Sequence, residues 1–163
     1  MVIPLISRDL GITSCLLILG LWGVCLFVSA DETYYKWEAK DFAIEKPLGG
    51  LKGDANRGRK LVADRDKGNC LACHAMPIPE EAFHGTFGPP LNGIANRLTA
   101  AQLRLRIVDQ QAINPLTVMP SFYKDPLEVN RIADAYVGKT MLTAQEVEDV
   151  IAYLVTLKQE WQP

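Results

Sequence analysis

The chain shows no strong excess of charge of either sign: 17 Lys and Arg stand against 19 Asp and Glu, a formal net charge of −2 over 163 residues. That balance excludes a basic nucleic-acid arm, and no interleaving of aromatic and basic residues suggests one locally. Internal repeats, low-complexity tracts and a Gly-rich phosphate loop are also missing, which removes repeat arrays and nucleotide-binding folds. The 12 Gly and 10 Pro follow no period, so nothing is collagen-like, and histidine is scarce, with two. With 48% hydrophobic and 22% charged residues the chain is not disordered as a whole and suffices for one ordinary globular domain.

Long apolar runs are almost as scarce. The charge-free stretch Gly11–Ala30 follows Arg8 and ends in Val28-Ser29-Ala30, the pattern of a secretory leader closed by small residues. Residues 1–30 are therefore expected to be a signal peptide; the competing reading retains the stretch as an anchor, since it is long enough to span a bilayer. The longest later run, Val150–Leu157, is interrupted by Thr156 and far too short to cross. Export into the periplasm with cleavage would remove Cys15 and Cys25, leaving Cys70 and Cys73 as the cysteines available for chemistry.

Those two stand in Cys70-Leu71-Ala72-Cys73-His74. Two thiols one helical turn apart can reach the two vinyl groups of a haem, and the adjacent imidazole can turn to its iron. A thiol redox pair would call for a neighbouring βαβ pattern, and a zinc site for a second Cys/His pair, where only His84 remains. One covalently attached haem c is the expectation, with Cys70 and Cys73 as attachment points and His74 as an axial ligand.

The second axial ligand should come from the opposite side of the ring. Met76 is too close to His74 in sequence to travel round the ring edge, and Met141, opening the last helix, is expected to pack in its core. Met119 lies in Asn114-Pro115-Leu116-Thr117-Val118-Met119-Pro120, where two prolines hold an extended loop able to present a sulfur. Met119 is thus the expected distal ligand, with His84 as its competitor. In Gly88-Pro89-Pro90-Leu91-Asn92-Gly93 the carbonyl of Pro89 is the candidate acceptor for the other ring nitrogen of His74. Arg97 is the candidate charge partner of a haem propionate.

Residues 31–53, punctuated by Pro47 and Gly49-Gly50, read as an extended N-terminal arm. A first helix is expected from Asp54, with Gly58, Leu61 and Val62 on one stripe, closing at Gly68. Thr99 with Gln102 forms a capping box for a helix from Ala100 to Gln111, whose Arg104 and Arg106 are expected on a solvated face. A short helix should follow Asp125-Pro126. Thr143 with Glu146 caps a last helix with Val147, Val150, Ile151 and Leu154 on its apolar stripe, from which Tyr153 is placed to meet Gly58. The reading is an all-α domain, residues 54–163, around one haem. No spare thiol and no paired catalytic carboxylates follow the leader, so no catalytic residue is assigned.

In this order, a first helix, Cys70 to His74, Gly88-Pro89 with Leu91, Gly93 and Arg97, a Met-Pro loop and a capped last helix make the chain resemble the class I c-type cytochromes over about residues 54–158. Within them it is similar to the SoxX family of small cytochrome subunits, through Gly58-Arg59, Gly68-Asn69-Cys70, Phe83-His84-Gly85, Asn114-Pro115, Met119-Pro120-Ser121-Phe122-Tyr123, Glu148-Asp149-Val150 and Ala152-Tyr153-Leu154. That resemblance implies a periplasmic heterodimer with a SoxA-type cytochrome subunit, an L-cysteine S-thiosulfotransferase that joins thiosulfate to a cysteine of a SoxYZ-type carrier. It also implies that the catalytic haem belongs to the partner, and that this chain relays electrons to a soluble cytochrome acceptor. A free, diffusible mono-haem carrier is the alternative.

Overall fold

The computed structural model describes residues 33–129 and 133–159. The expected leader, residues 1–30 with Cys15 and Cys25, lies outside the described residues. The chain is all-α: among the described residues the only β pairing is one isolated bridge, Lys40 to Ala43. Among the described residues there are four α-helices, α1 (Ala55–Ala63), α2 (Ile94–Arg97), α3 (Ala100–Asp109) and α4 (Ala144–Leu154), with one 3-10 turn before α1, one between α1 and α2 and three between α3 and α4.

Local chemistry starts three of these helices. Asp54 accepts the Arg57 N–H at 2.8 Å, capping α1. Thr99 with Gln102 and Thr143 with Glu146 form complete capping boxes at α3 and α4. Helix α1 stops at Ala63, earlier than Gly68, because Asp64 takes an extended conformation and its carboxylate receives the Asp66 N–H, turning the chain. Helix α3 breaks at Asp109, whose backbone is extended at φ −154° and ψ 91°, and a 3-10 turn, Gln110–Ala112, follows with the Asp109 carboxylate accepting the Gln111 N–H at 3.0 Å. The expected helix after Asp125 is a single 3-10 turn, Pro126–Glu128, with the Asp125 carboxylate accepting the Leu127 N–H.

Helices α1 and α4 cross at close range, and glycine makes the approach possible. A Cβ at Gly58 would overlap the Asp149 carbonyl and press on Cβ of Tyr153. The contact is clamped by Asp149, which accepts from the Asp54 N–H at 2.7 Å, from Arg57 Nε at 2.6 Å and from Gln145 Nε2 at 2.9 Å. Burial works to raise the Asp149 pKa, but these donors outweigh it and hold the carboxyl below its usual value.

The arm, described from residue 33, contains no α-helix; it lays Ile44 and Leu48 into the core, and Tyr34 stacks on Tyr123 with centroids 5.1 Å apart. This covering corrects the expectation for Arg104. Instead of facing solvent, Arg104 is 4% exposed, pairs with Glu148 at 2.7 and 2.9 Å and donates to the Ile44 carbonyl at 2.7 Å. Glu148 also accepts the Leu48 N–H at 2.9 Å. Arg106 is half-buried as well, and lines the cavity described next. Arg104 is enclosed by parts of the chain remote in sequence, Ile44 and Glu148, which a local charge pattern does not register.

Candidate functional site

The turn after α1 ends at Asn69, in the left-handed region with φ 45°, and delivers the chain into the 3-10 turn Cys70–Ala72. The Cys73 and His74 N–H groups both donate to the Cys70 carbonyl, at 3.1 and 2.9 Å, so the three reactive side chains project from one helical turn. The loop that follows folds back over it: the Gly85 N–H reaches the Leu71 carbonyl at 2.7 Å and the Gly88 N–H the Cys73 carbonyl at 2.8 Å. Any side chain at Gly88 would strike the His74 ring, so glycine is what lets the backbone lie against the imidazole.

That backbone orients the ring. His74 Nδ1 lies 2.7 Å from the Pro89 carbonyl; a carbonyl only accepts, so Nδ1 carries the proton and Nε2 keeps its lone pair free for a metal. Arg97 does not line the cavity; its guanidinium donates to the Pro90 and Asn92 carbonyls at 3.0 and 3.1 Å and so steadies the loop carrying Pro89. His84 is absent from the cavity wall too: its Nδ1 accepts the Met76 N–H at 3.3 Å, and its Nε2 is buried without a partner.

Another part of the cavity lining comes from the loop after α3. The Asn114 side chain and carbonyl accept the Leu116 and Thr117 N–H groups at 3.1 and 3.0 Å, and the Met119 N–H bonds Thr117 Oγ1 at 3.2 Å. Ser121 is fastened to Asp109 at 2.6 Å, and the Phe122 N–H to the Ile107 carbonyl at 3.1 Å. Met119 is thus held in a loop pinned at both ends.

Between these walls lies a cavity of about 750 Å³ bordered by Cys70, Cys73, His74 and Met119 and closed largely by apolar side chains such as Val62, Leu91, Leu103, Ile107 and Leu154. Met76 and Met141 also line it, so Met141 faces the cavity as well as the core. Burial pushes the Cys70 thiol up to about 12, so it stays protonated, unlike the depressed thiol of a redox-active pair. Arg106 and Gln110 border the same space. They were not singled out from the sequence as cavity residues, and Asp109 between them is extended at φ −154° and ψ 91°, a break that spacing along a regular helix does not register.

This donor set fits a covalently held haem: two free thiols beside an imidazole with one nitrogen already committed to a carbonyl, bordering a largely apolar space that the Met119 thioether also borders. The Cytochrome c family matches residues 55–158, and the chain belongs to that family: it is an electron-transfer cytochrome with one haem c, covalently bound. The curated proteins contain no match. Among solved structures the chain is similar to the crystal structure of SoxXA from P. pantotrophus, at 36% identity and a TM-score of 0.70, over 78% of this chain and 99% of that one. The likeness to SoxX read from the sequence holds at that level. No helix among the described residues is long and apolar enough to cross a membrane.

Proposed function

We propose that Cys70 and Cys73 carry the haem as thioethers, that His74 and Met119 bind its iron from opposite sides, and that the chain is the electron-relay subunit of a periplasmic thiosulfate-oxidising complex. The observation that carries the site assignment is the shared cavity, which Cys70, Cys73, His74 and Met119 all border, with the imidazole fixed by Pro89. When bound, the haem supplies a one-electron couple, and a thioether opposite an imidazole raises its potential. The chain's own residues do the rest. The Pro89 carbonyl sets the tautomer and basicity of His74, Arg97 stiffens the Pro89 loop, and the apolar walls keep water from the metal.

The likeness to SoxXA supports a SoxA-type partner carrying the catalytic haem and a SoxYZ-type carrier as the recipient of thiosulfate. The surface favours a lasting partner over a diffusing carrier. Phe87, Leu116 and Val118 border the cavity while remaining 75%, 91% and 69% exposed, an apolar rim of the kind that permanent interfaces cover. Removal of residues 1–30 on export belongs to the same reading. Native isolation from the periplasm tests it: a larger haem subunit should accompany the chain, and thiosulfate-dependent turnover should vanish without it. A chain that isolates alone, from cells whose thiosulfate oxidation does not need it, would be the diffusible carrier instead.

A further inference from the structure

Asp109 keeps a carboxylate where α3 gives it little support. It ends the helix, so it sits at the negative end of the helix dipole. It is 9% exposed, and no ion pair among the described residues includes it. A buried carboxylate without a cation is costly unless hydrogen bonds compensate. Two do, both at Oδ1: the Gln111 N–H donates at 3.0 Å and the Ser121 hydroxyl at 2.6 Å. The first is local and starts the 3-10 turn Gln110–Ala112. The second spans 12 residues and reaches the loop that carries Met119.

Ser121 stands where that loop has few other ties. Pro120 has no N–H to donate, and among the described residues two hydrogen bonds hold residues 118–121. The Met119 N–H bonds Thr117 Oγ1 at 3.2 Å, a contact within the loop that moves with it. The Ser121 bond to Asp109 fastens the loop to α3. Beyond Ser121 the chain is already fixed, because the Phe122 and Tyr123 N–H groups bond the Ile107 and Val108 carbonyls at 3.1 and 3.2 Å. The Asp109 contact therefore decides the course of the short stretch between that anchor and Met119.

We propose that Asp109 is a positioning residue: through the Ser121 hydroxyl it keeps the Met119 sulfur on the iron and outside bases off it. This rests on Met119 being the distal ligand, as read above. A neutral thioether is a soft donor and holds ferric iron less firmly than ferrous iron, so the ferric protein depends most on where the loop puts the sulfur. Without the tie to α3, the stretch around Met119 gains conformational freedom, and the fraction of molecules with an open iron position rises. An external base binds in proportion to that fraction.

The test is an imidazole titration of the haem-loaded ferric protein at fixed pH, followed by the sulfur-to-iron charge-transfer band, with denaturant unfolding of the same samples by circular dichroism. Ser121→Ala removes the tie and should tighten apparent imidazole binding by about tenfold, the size of one hydrogen bond to a charged group. Ser121→Thr keeps a hydroxyl and should bind imidazole as the unsubstituted protein does. Asp109→Ala should match Ser121→Ala, and the two together should add little, because they break the same contact. Ser121 is small and half-buried, so its two variants decide the matter if Asp109→Ala does not fold. Imidazole binding unchanged in Ser121→Ala, whether or not the unfolding midpoint falls, would overturn the proposal, as would an equal tightening in Ser121→Thr. A charge-transfer band that is missing from the unsubstituted protein, or that survives Met119→Ala, refutes the ligand assignment itself and the proposal with it, a result distinct from the others.

Discussion

Two side chains give the sharpest expectations at the residue scale. If Met119 is the distal ligand as proposed, replacing it by Ala should abolish the sulfur-to-iron charge-transfer band and lower the reduction potential, because thioether ligation raises that potential; an unaltered absorption spectrum would assign the distal position elsewhere, and Met141 at the cavity wall would be the next residue to replace. Asp149 governs the acid limb of stability. Its folded pKa lies below the unfolded carboxylate value of about 4, so the stability it contributes is fully present above that value. This contribution is lost as pH falls through the depressed folded pKa. Denaturant unfolding at a series of pH values should show the loss, and Asp149→Asn should be less stable at neutral pH with a flatter acid limb. The turn carrying Cys70, Cys73 and His74 was legible because it depends on local spacing alone, one helical turn in which the Cys73 and His74 N–H groups bond the Cys70 carbonyl. Arg104 was misread as solvated because what covers it, the Ile44–Leu48 segment and Glu148 of α4, lies outside its own helix, while Arg106 beside it is only half-buried.

The elements meet through two contacts that make opposite demands. At the α1–α4 crossing, Gly58→Ala should improve intrinsic helix propensity by roughly 1 kcal/mol, yet its Cβ would overlap the Asp149 carbonyl. Overpacking of this kind costs about 1–3 kcal/mol and should win, because backbone cannot rotate aside as a side chain can; a higher melting temperature for Gly58→Ala would contradict the crossing. Between α3, α4 and the arm, the pair Arg104 and Glu148 is enclosed on both sides, 5% and 4% exposed. Arg104→Met should cost about 3–5 kcal/mol by leaving a buried carboxylate without its cation, and adding Glu148→Leu should recover part of that in a double-mutant cycle. Element starts were visible in the sequence because caps are local: Asp54, Thr99 and Thr143 all cap as their spacing implies. Ends were less so. Helix α1 stops early through an Asp64 turn, and α2, four residues entered through Gly93 at φ 66°, carries too little periodicity to announce itself.

For the whole molecule, the order of its motifs was enough to read an all-α haem domain, because each motif names one wall of a single cavity. The depth of that cavity, the arm packed over α3 and the apolar rim beside the opening arise from contacts distant in sequence. A protein enclosing about 750 Å³ between largely apolar walls should be poorly closed without its haem. A Cys70→Ala/Cys73→Ala chain is therefore expected to unfold at a lower temperature and less cooperatively than the loaded protein, as calorimetry would show. The most direct test of the account is to extract the purified, denatured protein with acidified organic solvent and weigh the chain. The Soret absorption should stay with a polypeptide heavier by one haem; colour that leaves with the solvent, or a chain of unmodified mass, would contradict thioether attachment at Cys70 and Cys73.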